Sequence, residues 1–185
     1  MGNPLNDPDI LKTNDEIARK FEKIEADILL CHRIEELFER LLSGSEEAFG
    51  IPFVWLSLLR RPETEMLRKL LGKSDILRDR INIMAPAPFL EIVPDFTHPL
   101  LVSGDLRPFF RLMPPNVKYF LRSLAIAPLT RHGVLIGSLN HGDASPDRYR
   151  PGMDTTLLNH LSGTVSEHLS RLLPPAGKRT AGKKT

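Results

Sequence analysis

Two short apolar runs in the C-terminal half of the chain constrain its fold more than any other feature. Residues 123–130 read Ser-Leu-Ala-Ile-Ala-Pro-Leu-Thr, residues 134–140 read Val-Leu-Ile-Gly-Ser-Leu-Asn, and Arg131-His132-Gly133 stands between them. Each run has the length of a strand. Since Gly133 can adopt a positive φ, the intervening residues favour a tight turn. The sequence therefore predicts an antiparallel hairpin.

The rest of the chain predicts helices around this hairpin. Residues 52–60 form a strand that is apolar on both faces, as expected for a strand covered on both sides. Residues 62–80 have helical spacing, and a last helix begins near residue 153 and ends at Pro174-Pro175. Residues 81–115 hold seven of the sixteen prolines, which excludes a long helix or a central strand there. This order favours an α+β fold with a central antiparallel sheet.

The N-terminal region predicts one long helix over residues 14–44. Its first half carries an apolar seam at alternating steps of four and three, a spacing typical of paired helices. We expect this seam to form a homodimer interface, although it could instead pack on the C-terminal helix of the same chain. The seam residues are Ile17, Phe21, Ile24, Ile28 and Cys31.

Composition narrows the possible partners and compartments. The 185 residues include 25 basic and 23 acidic side chains, and four of the basic ones fall in residues 177–185. The remainder has 21 basic against 23 acidic residues, which argues against a specific nucleic-acid surface. The N-terminus does not resemble a secretory signal, and no apolar run approaches the ~18 residues that span a membrane. We expect a cytoplasmic protein that does not bind membranes.

Several segments resemble the GAF superfamily, and more narrowly a bacterial GAF-like family of unknown function. The resemblance is carried by residues 123–129, by residues 133–139, by the Arg148-Tyr149 pair, and by Met153-Asp154-Thr155 at the start of the last helix. It implies a central antiparallel sheet with the N- and C-terminal helices on one face. It also implies a lid of loops and a short helix, residues 89–113, over a small-molecule pocket on the other face.

Catalysis is not expected from the sequence. Two GAF chemistries, methionine sulfoxide reduction and tetrapyrrole attachment, use pocket cysteines, whereas this chain has only Cys31, on the helical seam. The six histidines lack metal-ligand spacing and are expected at the surface, so no metal or cofactor is predicted. We therefore expect a non-catalytic sensory or regulatory domain, not an enzyme. Of the functions considered, a thiol-dependent reductase is the least favoured.

The predicted pocket combines polar residues on apolar strands with aromatic and basic residues of the lid. We expect an unidentified small molecule to bind there and to act through dimerisation or through a downstream protein partner. The alternative is an interaction scaffold whose pocket is filled by its own side chains. The candidate binding residues are Ser57, Phe89, Asp105, Arg107, Phe109, Arg111, Ser138 and Asn140.

These patterns predict a division of the chain into four segments. Residues 1–13 are expected to be a flexible N-terminus, and residues 14–44 the dimerisation helix. Residues 45–173 form the GAF-like domain, and residues 174–185 form a disordered basic tail.

Overall fold

A computed structural model describes residues 8–175 and shows a mixed five-stranded sheet with helices. Residues 1–7 and 176–185, which include much of the predicted N-terminal arm and basic tail, lie outside the described residues. The helices are α1 (Pro8–Leu29), α2 (Ile34–Phe49), α3 (Glu65–Leu71), α4 (Pro86–Ile92) and α5 (Thr156–Leu172). The strands are β1 (Phe53–Leu59), β2 (Ile81–Met84), β3 (Leu100–Ser103), β4 (Ser123–Arg131) and β5 (Val134–Asp143).

The sheet has the strand order β2-β1-β5-β4-β3. Its β4–β5 hairpin confirms the prediction from the two apolar runs, with Arg131 paired to Val134 across a two-residue turn. His132 and Gly133 both have positive φ, 48° and 77°, as the tightest hairpin turns require. The pairing of β1 with β2 is parallel and is the one departure from the predicted antiparallel sheet.

Each face of the sheet is covered by a different layer, as expected from the fold class. Helices α1, α2 and α5 cover one face, where a large apolar core includes Phe38 of α2, Leu56 of β1 and Leu161 of α5. Helix α4 and the 3₁₀ segment Arg107–Leu112 cover the other face, where Trp55 and Phe89 belong to a second core. Within residues 8–175, no helix combines the length and apolar character needed to cross a membrane.

The N-terminal region differs from the single helix expected over residues 14–44. Helix α1 begins earlier, at Pro8, and the chain leaves the helix between residues 30 and 33. His168 of α5 lies 2.9 Å from the Cys31 carbonyl oxygen, so a contact distant in sequence satisfies the backbone at the break. Residues 43–45, at the predicted end of the helix, lie inside α2, where Gly44 faces Ile24 of α1. Small residues there allow the two helices to pack closely.

Candidate functional site

A cavity of about 960 Å³ opens on the helix-covered side of the sheet. We call it the helix-side cavity. Its walls come from the first half of α1, the end of α2, strand β5, the β5–α5 loop and the start of α5. Its volume lies within the range of known small-molecule sites, which is roughly 300–1,000 Å³.

Two of the segments that carry the family resemblance line this cavity. Arg148 and Tyr149 come from the β5–α5 loop, and Met153, Asp154 and Thr155 lead into α5. Asp154 accepts hydrogen bonds from the backbone and the hydroxyl of Thr156, which form a turn that leads into α5. The same hydrogen bonds lower the pKa of Asp154. The loop is thereby held in place at the cavity wall.

His141 of β5 forms part of the cavity floor. Side chains alternate along β5, so His141 faces the helices together with Leu139, whereas Asn140 faces the lid. The residue is 3% exposed, and its Nε2 atom has no hydrogen-bond partner among the described residues. Burial lowers the pKa of His141 to about 4, and the positive charge of Arg148 contributes to the same shift. The imidazole is therefore neutral at pH 7.

Tyr149 places a second buried polar group beside His141. The two ring centroids are 6.3 Å apart, and the Tyr149 hydroxyl has the Arg148 guanidinium beside it but finds no acceptor for its own hydrogen among the described residues. Burial raises the pKa of Tyr149 to about 12. The phenol therefore stays protonated and can donate a hydrogen bond. Buried polar groups without a hydrogen bond are costly, and a ligand that displaces the side chains covering these two atoms would satisfy both.

Arg148 fixes the loop that carries Tyr149. Its guanidinium donates to the Phe49 carbonyl oxygen at the end of α2, and it lies 3.8 Å from a carboxylate oxygen of Asp143. The guanidinium carbon is 6.0 Å from the Tyr149 ring centroid. Arg148 thus ties the loop to both α2 and β5 and adds a positive charge next to His141 and Tyr149.

The rest of the cavity combines apolar walls with charged groups near its opening. Phe21 and Phe49 contact each other with their ring centroids 4.7 Å apart and their planes tilted by 46°, and the Lys20 ammonium lies 6.0 Å from the Phe49 ring. Asp15 and Asp147 are exposed, which places their carboxylates toward solvent. The cavity therefore suits a molecule with an apolar body whose polar end reaches His141 and Tyr149.

Three of the sequence-predicted pocket residues form a buried network on the opposite face of the sheet. The Ser57 hydroxyl donates to the Leu112 carbonyl oxygen at 2.7 Å. The Asn140 amide donates to Ser57 at 3.0 Å, and Ser138 donates to the Asn140 side-chain oxygen at 2.9 Å. All three residues are fully buried. The network satisfies polar groups that the sequence analysis expected a ligand to satisfy.

The other predicted pocket residues lie apart from one another. Phe89 is fully buried in the lid-side core, and Phe109 packs at the edge of that core. Asp105 and Arg107 form an ion pair at the surface, with distances of 2.7 and 2.8 Å, and Arg107 lowers the pKa of Asp105 to about 2. Arg111 is exposed. The structure therefore does not bring the eight predicted residues around one cavity.

Most of the predicted dimer seam packs inside the chain itself. Ile24, Ile28 and Cys31 belong to the helix-side core, as the alternative packing on the C-terminal helix requires. Ile17 is 36% exposed, and Phe21 is partly buried against Phe49. The homodimer stays a prediction, and of the five seam residues only these last two could contribute to it.

Cys31 is expected to resist thiol reagents in the folded protein. Its side chain is fully buried, and burial, followed by the nearby Glu36, raises the pKa of its thiol. Since the thiolate is the reactive form, we expect 5,5′-dithiobis(2-nitrobenzoic acid) to label native protein at least about a hundredfold more slowly than the unfolded chain. The chain has no other cysteine, so all of the absorbance released by the reagent reports on Cys31. Fast labelling of native protein would contradict its buried position.

The helix-side cavity contains residues that the sequence analysis did not assign to a site. All six histidines were expected at the surface, yet His141 and His168 are buried. The position of His141 on an apolar strand was the available signal, because an unexplained polar residue there is costly. Arg148 and Tyr149 were recognised as a motif, but their role depends on where α1 and α2 lie. Within residues 8–175, no cluster of side chains suited to holding a metal ion is found.

Comparison with known proteins supports the fold and leaves the family open. No family model matches the chain, and no match was found among the curated proteins. Among solved structures, it resembles the free methionine-R-sulfoxide reductase of Neisseria meningitidis, solved with its substrate. The two share 15% sequence identity with a TM-score of 0.52 over 82% of this chain and 87% of the other.

This similarity corrects the expectation that the domain is non-catalytic. The neighbour has a GAF-like fold and is an enzyme, so a fold of this kind does not exclude catalysis. The absence of several pocket cysteines, on which that expectation rested, bears on thiol chemistry alone. At 15% identity, the comparison establishes the fold of this chain as α+β and GAF-like.

Proposed function

We propose that this protein binds a small molecule in the helix-side cavity, with His141 and Tyr149 as its main polar contacts. The proposal is carried by one observation. Among the described residues, the Nε2 atom of a neutral imidazole has no partner and the hydroxyl of a protonated phenol has no acceptor, and the two rings lie side by side at a cavity of about 960 Å³. Other buried polar atoms without a partner among the described residues occur, for example, on Ser45, Arg68 and His168, but these residues do not line the cavity.

The chemistry of the site indicates what kind of molecule fits. The Tyr149 hydroxyl can donate to a carbonyl, carboxylate or sulfoxide oxygen, and Arg148 adds positive charge nearby. The neutral imidazole of His141 can accept or donate a hydrogen bond. Aromatic and aliphatic walls would hold an apolar part of the ligand. A neutral histidine beside a protonated tyrosine also provides the groups used in acid–base chemistry.

A thermal-shift screen tests the proposal with defined compounds. Methionine-R-sulfoxide is the first probe, because the structural neighbour acts on it, and amino acids, nucleotides and cyclic dinucleotides follow. A ligand present at a hundred times its Kd should stabilise the native state by about 2.7 kcal/mol. For a chain of this size, that raises Tm by roughly 5–10 °C.

The variant Tyr149→Phe should separate binding from stability. It removes a buried hydroxyl that has no acceptor among the described residues while keeping the ring, so the ligand-free protein should keep its stability or gain about 1 kcal/mol. The same change should abolish most of the ligand-induced rise in Tm. The measurement is Tm with and without each compound that stabilises the wild type.

Tyr119→Phe is the matched control, because Tyr119 is the other tyrosine and is 76% exposed. It should bind ligand as the wild type does. An unchanged ligand response in Tyr149→Phe would refute the proposed contact. A loss of stability in the ligand-free variant would show that the hydroxyl has a structural partner instead.

A further inference from the structure

The lid side of the sheet carries an exposed aromatic and basic surface that the helix-side cavity does not use. Tyr119 is 76% exposed and Phe120 is 65% exposed, and both follow Lys118 in the turn before β4. Large apolar side chains this exposed and adjacent to one another are typical of interaction sites. We call the surface formed by Phe110, Arg111, Lys118, Tyr119 and Phe120 the aromatic–basic patch.

The patch has an excess of positive charge. Residues 107–122 contain four basic side chains and no aspartate or glutamate. Arg107 is paired with Asp105, whereas Arg111, Lys118 and Arg122 make no ion pair with the residues that the structure describes. An acidic partner would supply the missing counter-charges.

The patch is held in one conformation by contacts at its base and on its surface. The Leu112 carbonyl oxygen accepts hydrogen bonds from Trp55 and Ser57, both at 2.7 Å. Phe110 and Tyr119 meet edge to face with their ring centroids 5.7 Å apart, and the Lys118 ammonium lies 5.1 Å from the Tyr119 ring. A surface ordered before binding loses less entropy when a partner docks. The buried network around Ser57 thus supports the patch from below.

We propose that the aromatic–basic patch docks an acidic segment of a partner protein that also presents apolar side chains. Tyrosine and arginine are enriched at the energetic centres of protein interfaces. The Lys118 ammonium lies over the Phe110 and Tyr119 rings, so a docked partner contacts positive charge and aromatic surface together.

The probe is a fluorescein-labelled peptide of alternating glutamate and leucine, and its glutamine–leucine counterpart is the reference. Fluorescence anisotropy should show binding of the acidic peptide to the wild type at least about tenfold tighter than of the reference. Raising the salt concentration should weaken it. Lys118→Glu, and separately Tyr119→Ser combined with Phe120→Ser, should each weaken binding by about tenfold or more.

The matched control combines Met66→Ser with Ile76→Ser, two exposed apolar residues outside the patch that are 54% and 52% exposed. It should bind the acidic peptide as the wild type does. Tm is measured for every variant, and folding should be unaffected, since Lys118 is half-buried and the other changed side chains are exposed. Equal binding of both peptides would overturn the proposal. So would the absence of binding, or stronger binding to phosphatidylserine vesicles than to the acidic peptide.

Discussion

Gly137→Ala should prevent stable folding. Gly137 has φ 151°, and a Cβ atom added there would lie 1.9 Å from the backbone oxygen of Ser57. Gly137 pairs with Leu58 in the centre of the sheet, so β1 and β5 would have to separate to relieve the clash. A backbone atom cannot rotate away as a side chain can. We expect a loss of at least about 4 kcal/mol in the free energy of unfolding, measured by urea denaturation.

Gly163→Ala in α5 is the matched control for this variant. Gly163 is exposed within the helix, and an added Cβ would meet no atom within 4 Å. Alanine should therefore stabilise the helix by about 0.5–1 kcal/mol. If Gly137→Ala unfolded at the same urea concentration as the wild type, the close approach of β1 and β5 at Gly137 would be incorrect.

Acidification should destabilise the protein through His141. The folded-state pKa of about 4 lies below the ordinary value of 6.5, so the unfolded chain binds a proton at a pH where the folded protein does not. The contribution of His141 to stability is complete above pH 6.5 and is lost as the pH falls toward 4. Over this range the loss is about 3 kcal/mol.

The variant His141→Leu isolates this contribution. It should retain about 3 kcal/mol more stability than the wild type on going from pH 7 to pH 4, because other acid-sensitive groups are common to both proteins. Its stability at pH 7 should equal or exceed that of the wild type, since an unpartnered polar atom is removed. His32→Leu, at an exposed position, is the control and should follow the wild type. Parallel stability–pH curves for wild type and His141→Leu would show that His141 titrates normally.

The parts of the fold that local patterns specify were predictable from the sequence. The β4–β5 hairpin depends on two apolar runs and a turn that tolerates positive φ, and all of this is visible in residues 123–140. The break between α1 and α2 was not predictable in this way. No proline or glycine marks it, and a histidine more than a hundred residues away satisfies the backbone there.

The candidate site was harder to predict because it depends on which face of a strand each residue occupies. Asn140 and His141 are adjacent polar residues on β5, and only Asn140 was predicted to line a pocket, on the lid side. There Ser57 and Ser138 satisfy it. His141 faces the helices, where Tyr149 meets it only because α1, α2 and the β5–α5 loop come together. Those long-range contacts leave no periodic signal in the sequence.

The most direct test of the helix-side cavity as a binding site is an NMR titration of the wild-type protein. The ring signals of His141 and Tyr149 are followed while each stabilising compound is added, with the Trp55 indole signal as an internal reference on the opposite face of the sheet. A ligand in the cavity should shift the His141 and Tyr149 signals together and leave Trp55 unchanged. Shifts centred on Trp55, or stabilisation without any change at His141 and Tyr149, would contradict the proposed site.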